Sequence, residues 1–187
     1  MTDVLTIVHE CTDYTAWRAA YDGDLPRRKG AGLVERMITR QADKPNVIAL
    51  VFEMTDPDKA RDTVASPELR DTMRKAGIIG TPDVHFRKGS LSTVVAANYL
   101  SINARITGIE KFRNGYAMDV ADRRNAGLTD LAVLQDATDP NDLLLLWAVE
   151  DTQKAMTFLK SPALKEHQIK NAGVVSEPLP RFWKPAS

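Results

Sequence analysis

Four polar side chains occur twice in this chain, with 95 residues between the members of each pair. They are Arg18 and Arg113, Tyr21 and Tyr116, Asp24 and Asp119, and Arg28 and Arg123. A phenol and a guanidinium on one helix can bind the polar end of a small ligand, so Tyr21, Arg28, Tyr116 and Arg123 are candidate substrate-binding residues. The alternative is structural, because residues 24 and 28 are spaced for an ion pair and the tyrosines for packing on a sheet.

His167 is the candidate catalytic residue. It shares one helical face with Leu164 and Gln168 through spacings of three and four. Because histidine ordinarily titrates near neutral pH, a histidine at the edge of a pocket could act as a general base on a phenol or an enol. The alternative is a residue at the core boundary that is hydrogen-bonded to solvent.

The two other histidines, His9 and His85, belong to the first half of the chain only. Strand alternation puts His9 on the same face as Leu5 and Ile7, which predicts a satisfied core or interface histidine instead of a catalytic one. Three histidines and a single cysteine, Cys11, show none of the short spacings of metal ligands. Neither a metal nor a cofactor is therefore predicted.

The composition argues against several classes of protein. The 187 residues contain 25 Lys plus Arg and 25 Asp plus Glu, so the cationic surplus typical of nucleic-acid binding is missing. A hydrophobic content of 43% is sufficient for a core. The sequence has no apolar run near 18 residues, no recognisable signal peptide and one cysteine, which predicts a cytoplasmic protein without a membrane partner.

The chain is a tandem repeat. A shift of 95 residues, with a one-residue insertion, leaves 26 identical residues among 84 aligned pairs. The matches include restrictive cap sequences, such as Ser66-Pro67 with Ser161-Pro162. We therefore predict two ferredoxin-like repeats, 1–88 and 99–187, joined by a linker at 89–98.

Each repeat has the pattern of a β-α-β-β-α-β unit, which places the chain in the α+β class. Strands are predicted at 4–10, 33–41, 47–54 and 83–88, and again at 99–105, 128–136, 142–149 and 179–184. The third strand of each repeat is apolar at nearly every position, so both faces of its antiparallel sheet must be covered. Pro26 predicts a kink in the first helix, whereas the second repeat has Ala121 there and should contain a straighter helix.

The motifs of the first repeat resemble those of a known family. They are Asp13-Tyr14 followed by Trp17, Arg28-Lys29-Gly30-Ala31-Gly32-Leu33, Asp56 followed by Lys59-Ala60, Ser66-Pro67-Glu68-Leu69, and Lys75-Ala76-Gly77-Ile78-Ile79-Gly80 followed by Pro82. This pattern resembles the antibiotic-biosynthesis-monooxygenase-like proteins of the dimeric α/β-barrel superfamily. The resemblance implies ferredoxin-like units that pair sheet to sheet, within the chain or in a homodimer, each with a ligand pocket between helices and sheet.

The resemblance also implies site residues. Haem-degrading members carry an asparagine on the first strand, a tryptophan three residues before a helix serine, and a histidine seven residues after it. Around Ser161 the second repeat has Asn103, Phe158 and Gln168 at these places, with His167 one position early. Because the tryptophan and the in-register histidine are missing, haem is not expected. Asn103, Phe158 and Gln168 are interpreted as substrate-binding residues instead.

The activities of the superfamily imply a function in small-molecule binding. The expected protein is a cofactor-independent monooxygenase or isomerase that acts on an aromatic or enolisable substrate. The alternative is a non-catalytic ligand-binding or stress-associated module, since no acid–base pair is matched in both repeats. An RNA-binding domain of the same topology would carry aromatic residues on its central strand, where residues 143–146 are all leucine.

Overall fold

The computed structural model describes residues 1–92 and 94–186. The chain divides into two compact units: unit 1 is Met1–Arg87 with the last residues from Pro185, and unit 2 is Lys88–Lys184. Thr93 of the predicted linker and Ser187 at the end of the predicted second repeat lie outside the described residues. Next to Thr93, the Ser92 backbone N–H donates to the Leu131 carbonyl oxygen at 2.8 Å, so this segment is tied to unit 2.

Unit 1 has the ferredoxin-like order of elements, with each helical segment divided in two. Its elements are β1 (Thr2–Cys11), α1 (Tyr14–Gly23), α2 (Leu25–Gly30), β2 (Leu33–Gln41), β3 (Val47–Met54), α3 (Pro57–Ala65), α4 (Pro67–Lys75) and β4 (Ile78–Gly89). Strand β3 pairs antiparallel with β1 on one side and with β2 on the other. The sheet order β2-β3-β1-β4 follows.

Unit 2 repeats this arrangement. Its elements are β5 (Tyr99–Arg105), α5 (Ile109–Met118), α6 (Val120–Asn125), β6 (Leu128–Asp136), β7 (Asp142–Val149), α7 (Thr152–Leu159), α8 (Pro162–Lys170) and β8 (Arg181–Pro185). Strand β7 pairs antiparallel with β5 and β6, and β5 pairs with β8. The predicted α+β class, with two ferredoxin-like βαββαβ units, is confirmed.

Each unit has its own core between sheet and helices. In unit 1 the alternate residues Leu5, Ile7 and Cys11 of β1 pack with Trp17 of α1 and Phe52 of β3. In unit 2 the corresponding core contains Leu100, Phe112 and Trp147. The period of two along β1 therefore decides which side chains meet the helices.

The helical segment in the second half of each repeat consists of two short helices, α3 and α4 in unit 1 and α7 and α8 in unit 2. Ser66 accepts a hydrogen bond from the Leu69 backbone N–H at 3.2 Å, and Ser161 accepts one from Leu164 N–H at 3.1 Å. Each serine caps the new helix that its following proline begins, because proline fits the first turn, where its missing N–H has no intrahelical partner.

The prediction of a straighter helix in the second repeat is wrong, because the helix breaks at Asp119 as it does at Asp24. An arginine guanidinium lies at both breaks. Arg123 Nη1 donates to the Tyr116 carbonyl oxygen at 2.7 Å, and Arg28 Nη1 donates to that of Tyr21. A continuous helix would direct this carbonyl to the N–H four residues later; here it accepts from the guanidinium, and the Tyr21 carbonyl also accepts from the Asp24 N–H at 3.1 Å.

The last strands also differ from the prediction. Strand β4 begins at Ile78 and contains Pro82, although residues 83–88 were expected, and β8 is Arg181–Pro185, although residues 179–184 were expected. Proline removes one donor from the ladder without ending the strand.

Candidate functional site

Unit 1 encloses a cavity between its helices and its sheet. The cavity has a volume of about 80 Å³, whereas a single water needs only ~15 Å³. Its apolar wall comes from β1, β3, α1, α3 and α4, and includes Leu5, Ile7, Trp17, Leu50, Phe52, Val64 and Met73. Its polar lining includes His9, Tyr21, Asp24, Arg27 and Arg28. We call this the unit 1 cavity.

His9 is a buried histidine at the wall of this cavity. The residue is 6% exposed, and neither Nδ1 nor Nε2 has a partner within residues 1–92 and 94–186. Burial lowers the pKa of His9 to about 4. The imidazole is therefore neutral at pH 7 and brings one N–H donor and one acceptor nitrogen to the cavity wall. The sequence predicted a core histidine, but with its hydrogen bonds satisfied.

An aromatic stack forms the α1 side of the cavity. The rings of Tyr14 and Trp17 have centroids 5.7 Å apart, and those of Trp17 and Tyr21 are 4.9 Å apart. The ring of His9 tilts against Trp17 at a centroid distance of 5.4 Å. The spacings of three and four along α1 put these aromatic side chains on one helical face, and Trp17 and Tyr21 of this face line the cavity.

Two arginines of α2 form the cationic end of the cavity. Arg27 Nε pairs with the Asp24 carboxylate at 3.0 Å, and Arg27 Nη2 donates to Thr72 Oγ1 at 3.0 Å. The guanidinium of Arg28 lies 3.6 Å from the centroid of the Tyr21 ring. Arg27 Nη1 and Arg28 Nε are buried and have no acceptor in the described part of the chain. The ion pair expected between residues 24 and 28 is thus made by Arg27.

The Tyr21 hydroxyl is fixed by an acid on the sheet. It donates to Glu35 Oε2 at 2.6 Å. Glu35 lies at a β-bulge between β2 and β3, where the register shifts before Met37, and bulges commonly re-aim a side chain. Burial raises the pKa of Tyr21, and the hydrogen bond to Glu35 raises it further. Tyr21 is therefore a neutral phenol at physiological pH.

The same residues in unit 2 form a closed network. Asp130, at the equivalent bulge, accepts from Arg123 Nε at 3.0 Å, from Arg123 Nη2 at 2.9 Å and from the Tyr116 hydroxyl at 2.7 Å. Trp147 Nε1 donates to Asp130 at 2.8 Å, and Asp119 forms a second ion pair with Arg123. Burial raises the pKa of Asp130, but the hydrogen bonds from Arg123 and Tyr116 hold it below its ordinary value.

The unit 2 cavity, between the helices and sheet of that unit, is smaller, at about 40 Å³. Trp147 occupies the place of Phe52, and Ala104 the place of His9. The larger indole fills space and satisfies Asp130, while the alanine brings no polar group. Unit 2 therefore resembles unit 1 in backbone but differs from it in the chemistry of its cavity.

His167 uses both ring nitrogens inside unit 2. Nε2 lies 2.9 Å from the Gly115 carbonyl oxygen, which can only accept, so Nε2 carries the proton. Nδ1 lies 2.8 Å from the side-chain nitrogen of Asn171 and accepts from it. These bonds tie α8 to α5, and a catalytic role for His167 stays a prediction.

The predicted site residues divide into three groups. Tyr21 and Arg28 line the unit 1 cavity. The residues that line the unit 2 cavity are Tyr116, Arg123, Phe158, His167 and Gln168. Asn103 joins neither group: Ile102 and Ala104 line the unit 2 cavity, and strand alternation leaves Asn103 exposed on the opposite face of β5.

Sequence reasoning missed three residues of these sites, namely Glu35, Asp130 and Arg27. A signal for the two acids was available, because Glu35 and Asp130 are separated by the repeat offset of 95 residues. A search for identical pairs overlooks them, since one is glutamate and the other aspartate. Nothing in the sequence distinguishes Arg27 from a solvated residue at a helix end.

Neither a metal cluster nor a membrane span emerges within residues 1–92 and 94–186. No group of three or more His, Cys, Asp or Glu side chains is arranged there to hold a metal ion. No helix of this part of the chain is both long and apolar enough to cross a membrane.

Comparison with solved structures supports the fold assignment. An anthrone oxidase-like protein has a TM-score of 0.62 and 8% identity, covering 100% of this chain and 92% of its own. A ferredoxin-fold protein related to antibiotic biosynthesis monooxygenases, from Listeria monocytogenes, has a TM-score of 0.54 and 11% identity, covering 100% and 96%. A monooxygenase-like protein from Listeria innocua has a TM-score of 0.53 and 11% identity, covering 100% and 95%.

No protein-family model and no curated protein matches the sequence. At 8–11% identity, the structural likeness concerns the fold alone. At that level the resemblance to the antibiotic-biosynthesis-monooxygenase-like, dimeric α/β-barrel fold is confirmed.

Proposed function

We propose that the unit 1 cavity binds a small aromatic or enolisable molecule and that His9 removes a proton from it, in a cofactor-independent monooxygenation. The observation that carries the proposal is His9 itself, a neutral imidazole with two unpartnered nitrogens in the described structure, at the wall of an apolar, aromatic-lined cavity. An unpaired buried polar group costs ~1–3 kcal/mol, and a ligand hydroxyl would supply the missing partner.

The chemistry follows from the surroundings of His9. Its unprotonated nitrogen accepts the hydrogen bond, and then the proton, of a phenol or an activated C–H group. The ligand ring packs against Trp17 and Tyr21, and the anion that forms faces the guanidinium groups of Arg27 and Arg28. Because burial disfavours imidazolium, His9 holds the proton only briefly and returns it in a later step.

Molecular oxygen is the oxidant of the proposed reaction. A substrate CH₂ group loses a proton to His9, and the delocalised carbanion reacts with O₂. One oxygen atom becomes the carbonyl oxygen of the product, and the other leaves as water with the two hydrogens of the CH₂ group. The names of two structural neighbours, one anthrone oxidase-like and one monooxygenase-like, support this class of reaction.

Oxygen uptake tests the proposal. Purified protein is mixed in an oxygen electrode with monocyclic compounds that carry an activated CH₂ group, such as cyclohexane-1,3-dione, and the His9→Leu, His167→Gln and His85→Gln variants are measured alongside it. Since a general base contributes ~10²–10⁴-fold to a rate, His9→Leu should lower uptake at least 100-fold. His85→Gln is the matched control, because His85 pairs with Asp83 on β4 and does not line the cavity. Loss of oxygen uptake in His167→Gln but not in His9→Leu would contradict the role of His9 and identify His167 of unit 2 as the base.

The non-catalytic binding module is the second candidate, because no acid within residues 1–92 and 94–186 is hydrogen-bonded to His9 to orient it as a base. Binding of the same compounds without oxygen uptake would select it. A cytoplasmic location, pairing of the two repeats within the chain and a homodimer remain sequence predictions that accompany the proposal.

A further inference from the structure

We infer that the ligand of the unit 1 cavity is an anion, a small aromatic or enolisable carboxylate that is held by Arg28 and Arg27. The inference rests on the proposed function, because it names the class of ligand for the same cavity. It comes from the unsatisfied end of the cavity and from a comparison of the two units of this chain.

The first observation concerns unpaired guanidinium nitrogens. Arg28 is only 8% exposed, and its Nε has no acceptor in the described structure; the same holds for the buried Nη1 of Arg27. A buried cationic donor without an acceptor is costly. The acceptor that satisfies guanidinium best is a carboxylate, whose two oxygens match its parallel N–H groups.

Unit 2 shows what an arginine binds at this position. Arg123, the counterpart of Arg28, has its Nε and Nη2 on the two oxygens of Asp130, and also pairs with Asp119. Both guanidinium groups lie over a tyrosine ring, at 3.5 Å for Arg123 and 3.6 Å for Arg28. The two units therefore place this arginine in the same way. In the described structure the Nε of Arg123 has a carboxylate partner, whereas the Nε of Arg28 has none.

The acids of unit 1 are engaged elsewhere. Glu35, the counterpart of Asp130, accepts from the Tyr21 hydroxyl, and Asp24, the counterpart of Asp119, pairs with Arg27. The position of Arg27 is occupied in unit 2 by Asp122. With Arg28 and its counterpart Arg123 included, unit 1 has two guanidinium groups and two carboxylates at these four positions, whereas unit 2 has one guanidinium and three carboxylates. Only the unit 1 cavity has a cationic end for a ligand carboxylate.

The shape of the cavity limits the rest of the ligand. A volume of about 80 Å³ limits the ligand to no more than one ring, since an apolar cavity of ~150 Å³ holds benzene. The part of the wall formed by Trp17 and Tyr21 is aromatic. The ligand would then place its carboxylate on the arginines, its ring on the aromatic wall and its acidic hydrogen at His9. These three contacts together describe a monocyclic hydroxy-aromatic acid or an enolisable acid of similar size.

Calorimetric titration with matched probes tests the inference. The probes are 4-hydroxybenzoate and its uncharged isostere 4-hydroxybenzamide, at pH 7 and low salt. Wild-type protein should bind the carboxylate at least 10-fold more tightly than the amide. Arg28→Gln should reduce this ratio to less than about 3-fold while the amide affinity stays unchanged, and Arg28→Lys should restore part of it. The control is Arg74→Gln, an exposed arginine that pairs with Asp71 and does not line the cavity.

Arg28 is buried, so its replacement could disturb folding. Arg27→Gln, at a partly exposed residue, is the second variant and should lower the preference for the carboxylate at least 5-fold. Circular dichroism and the unfolding midpoint establish that each variant is folded.

The failures are distinguishable. If the amide binds as tightly as the carboxylate, and both are lost in His9→Leu, the proposed function stands and the anionic ligand is overturned. A carboxylate preference that survives both arginine substitutions overturns it as well, because the anion then binds elsewhere. Absence of binding by both probes contradicts the inference and the ligand-binding function together.

Discussion

His9 and Arg28, which line the unit 1 cavity, are buried without full hydrogen bonding in the described structure. Neither is easily explained by stability. The aligned residue in unit 2, Ala104, occupies the place of His9 at no polar cost, and Arg123 shows that the arginine can be fully paired. Groups that destabilise the ligand-free protein are expected at a binding site, where the ligand supplies their missing hydrogen-bond partners.

We expect His9→Leu to stabilise the ligand-free protein at pH 7 by ~1–2 kcal/mol, because it removes an unpaired buried polar group and keeps an apolar volume near Trp17. The measurement is the free energy of unfolding from urea titrations. The converse substitution in unit 2, Ala104→His, should destabilise the protein. A loss of stability in His9→Leu would mean that the imidazole has a partner that matters for folding.

The pH dependence of stability should carry a signature of His9. Burial lowers the pKa of His9 from 6.5 to about 4, so between these values the unfolded chain binds the proton and the folded one does not. Stability therefore falls as the pH drops from about 6.5 to about 4, by up to ~3 kcal/mol from this group. The test compares wild type with His9→Leu across pH 4–8. Parallel curves would contradict the low pKa, since the carboxylates are common to both proteins.

Some of the residues that line the unit 1 cavity could be predicted from the sequence. The repeat offset identified Tyr21, Arg28 and their counterparts, and strand parity put His9 on the core face. Whether a buried group finds a partner depends on the positions of side chains distant in the chain. The helical spacing favoured His167 as the catalytic residue. Its ring nitrogens are, however, hydrogen-bonded to Gly115 of α5 and to Asn171 at the end of α8.

At the scale of elements, the broken first helix of each unit brings the arginine to the cavity. The break lies between α1 and α2 in unit 1 and between α5 and α6 in unit 2, with or without a proline. Proline is a strong local signal for a helix kink, so the sequence predicts the kink at Pro26. The break in unit 2, which has no proline, shows that Pro26 is not required for it. Both units share a guanidinium that donates to the tyrosine carbonyl seven residues earlier.

We expect Pro26→Ala to leave the break in place and to change the free energy of unfolding by less than ~1 kcal/mol, since Pro26 lies in the first turn of α2. Ala121→Pro, at the matched position of α6, should be tolerated to a similar degree. Ala117→Pro, inside α5, is the contrast and should cost ~3 kcal/mol or more. Urea unfolding and far-UV circular dichroism measure these effects, and a gain of helix in Pro26→Ala would restore the proline as the cause.

At the scale of the whole molecule, duplication preserved the fold and allowed the two cavities to differ. The caps, turns and strand order recur, and they were predictable because they depend on local residue types such as Ser66-Pro67. The side chains that line the cavities were harder to predict, because the two repeats differ there by a few substitutions that change side-chain size. The cavity volume is about 80 Å³ in unit 1, which has Phe52, and about 40 Å³ in unit 2, which has Trp147 at that place.

This asymmetry predicts one ligand per chain, although the chain contains two repeats. In unit 2 the indole of Trp147 fills space, and the half-exposed Asp130 carboxylate accepts from the buried Arg123 guanidinium. A ligand anion would have to displace Asp130 from Arg123 to bind there. Calorimetric titration with 4-hydroxybenzoate should give a stoichiometry of one, and His9→Leu should abolish it. His167→Gln should leave both the stoichiometry and the affinity unchanged. A stoichiometry of two, or one site that survives His9→Leu, would show that unit 2 opens to accept a ligand.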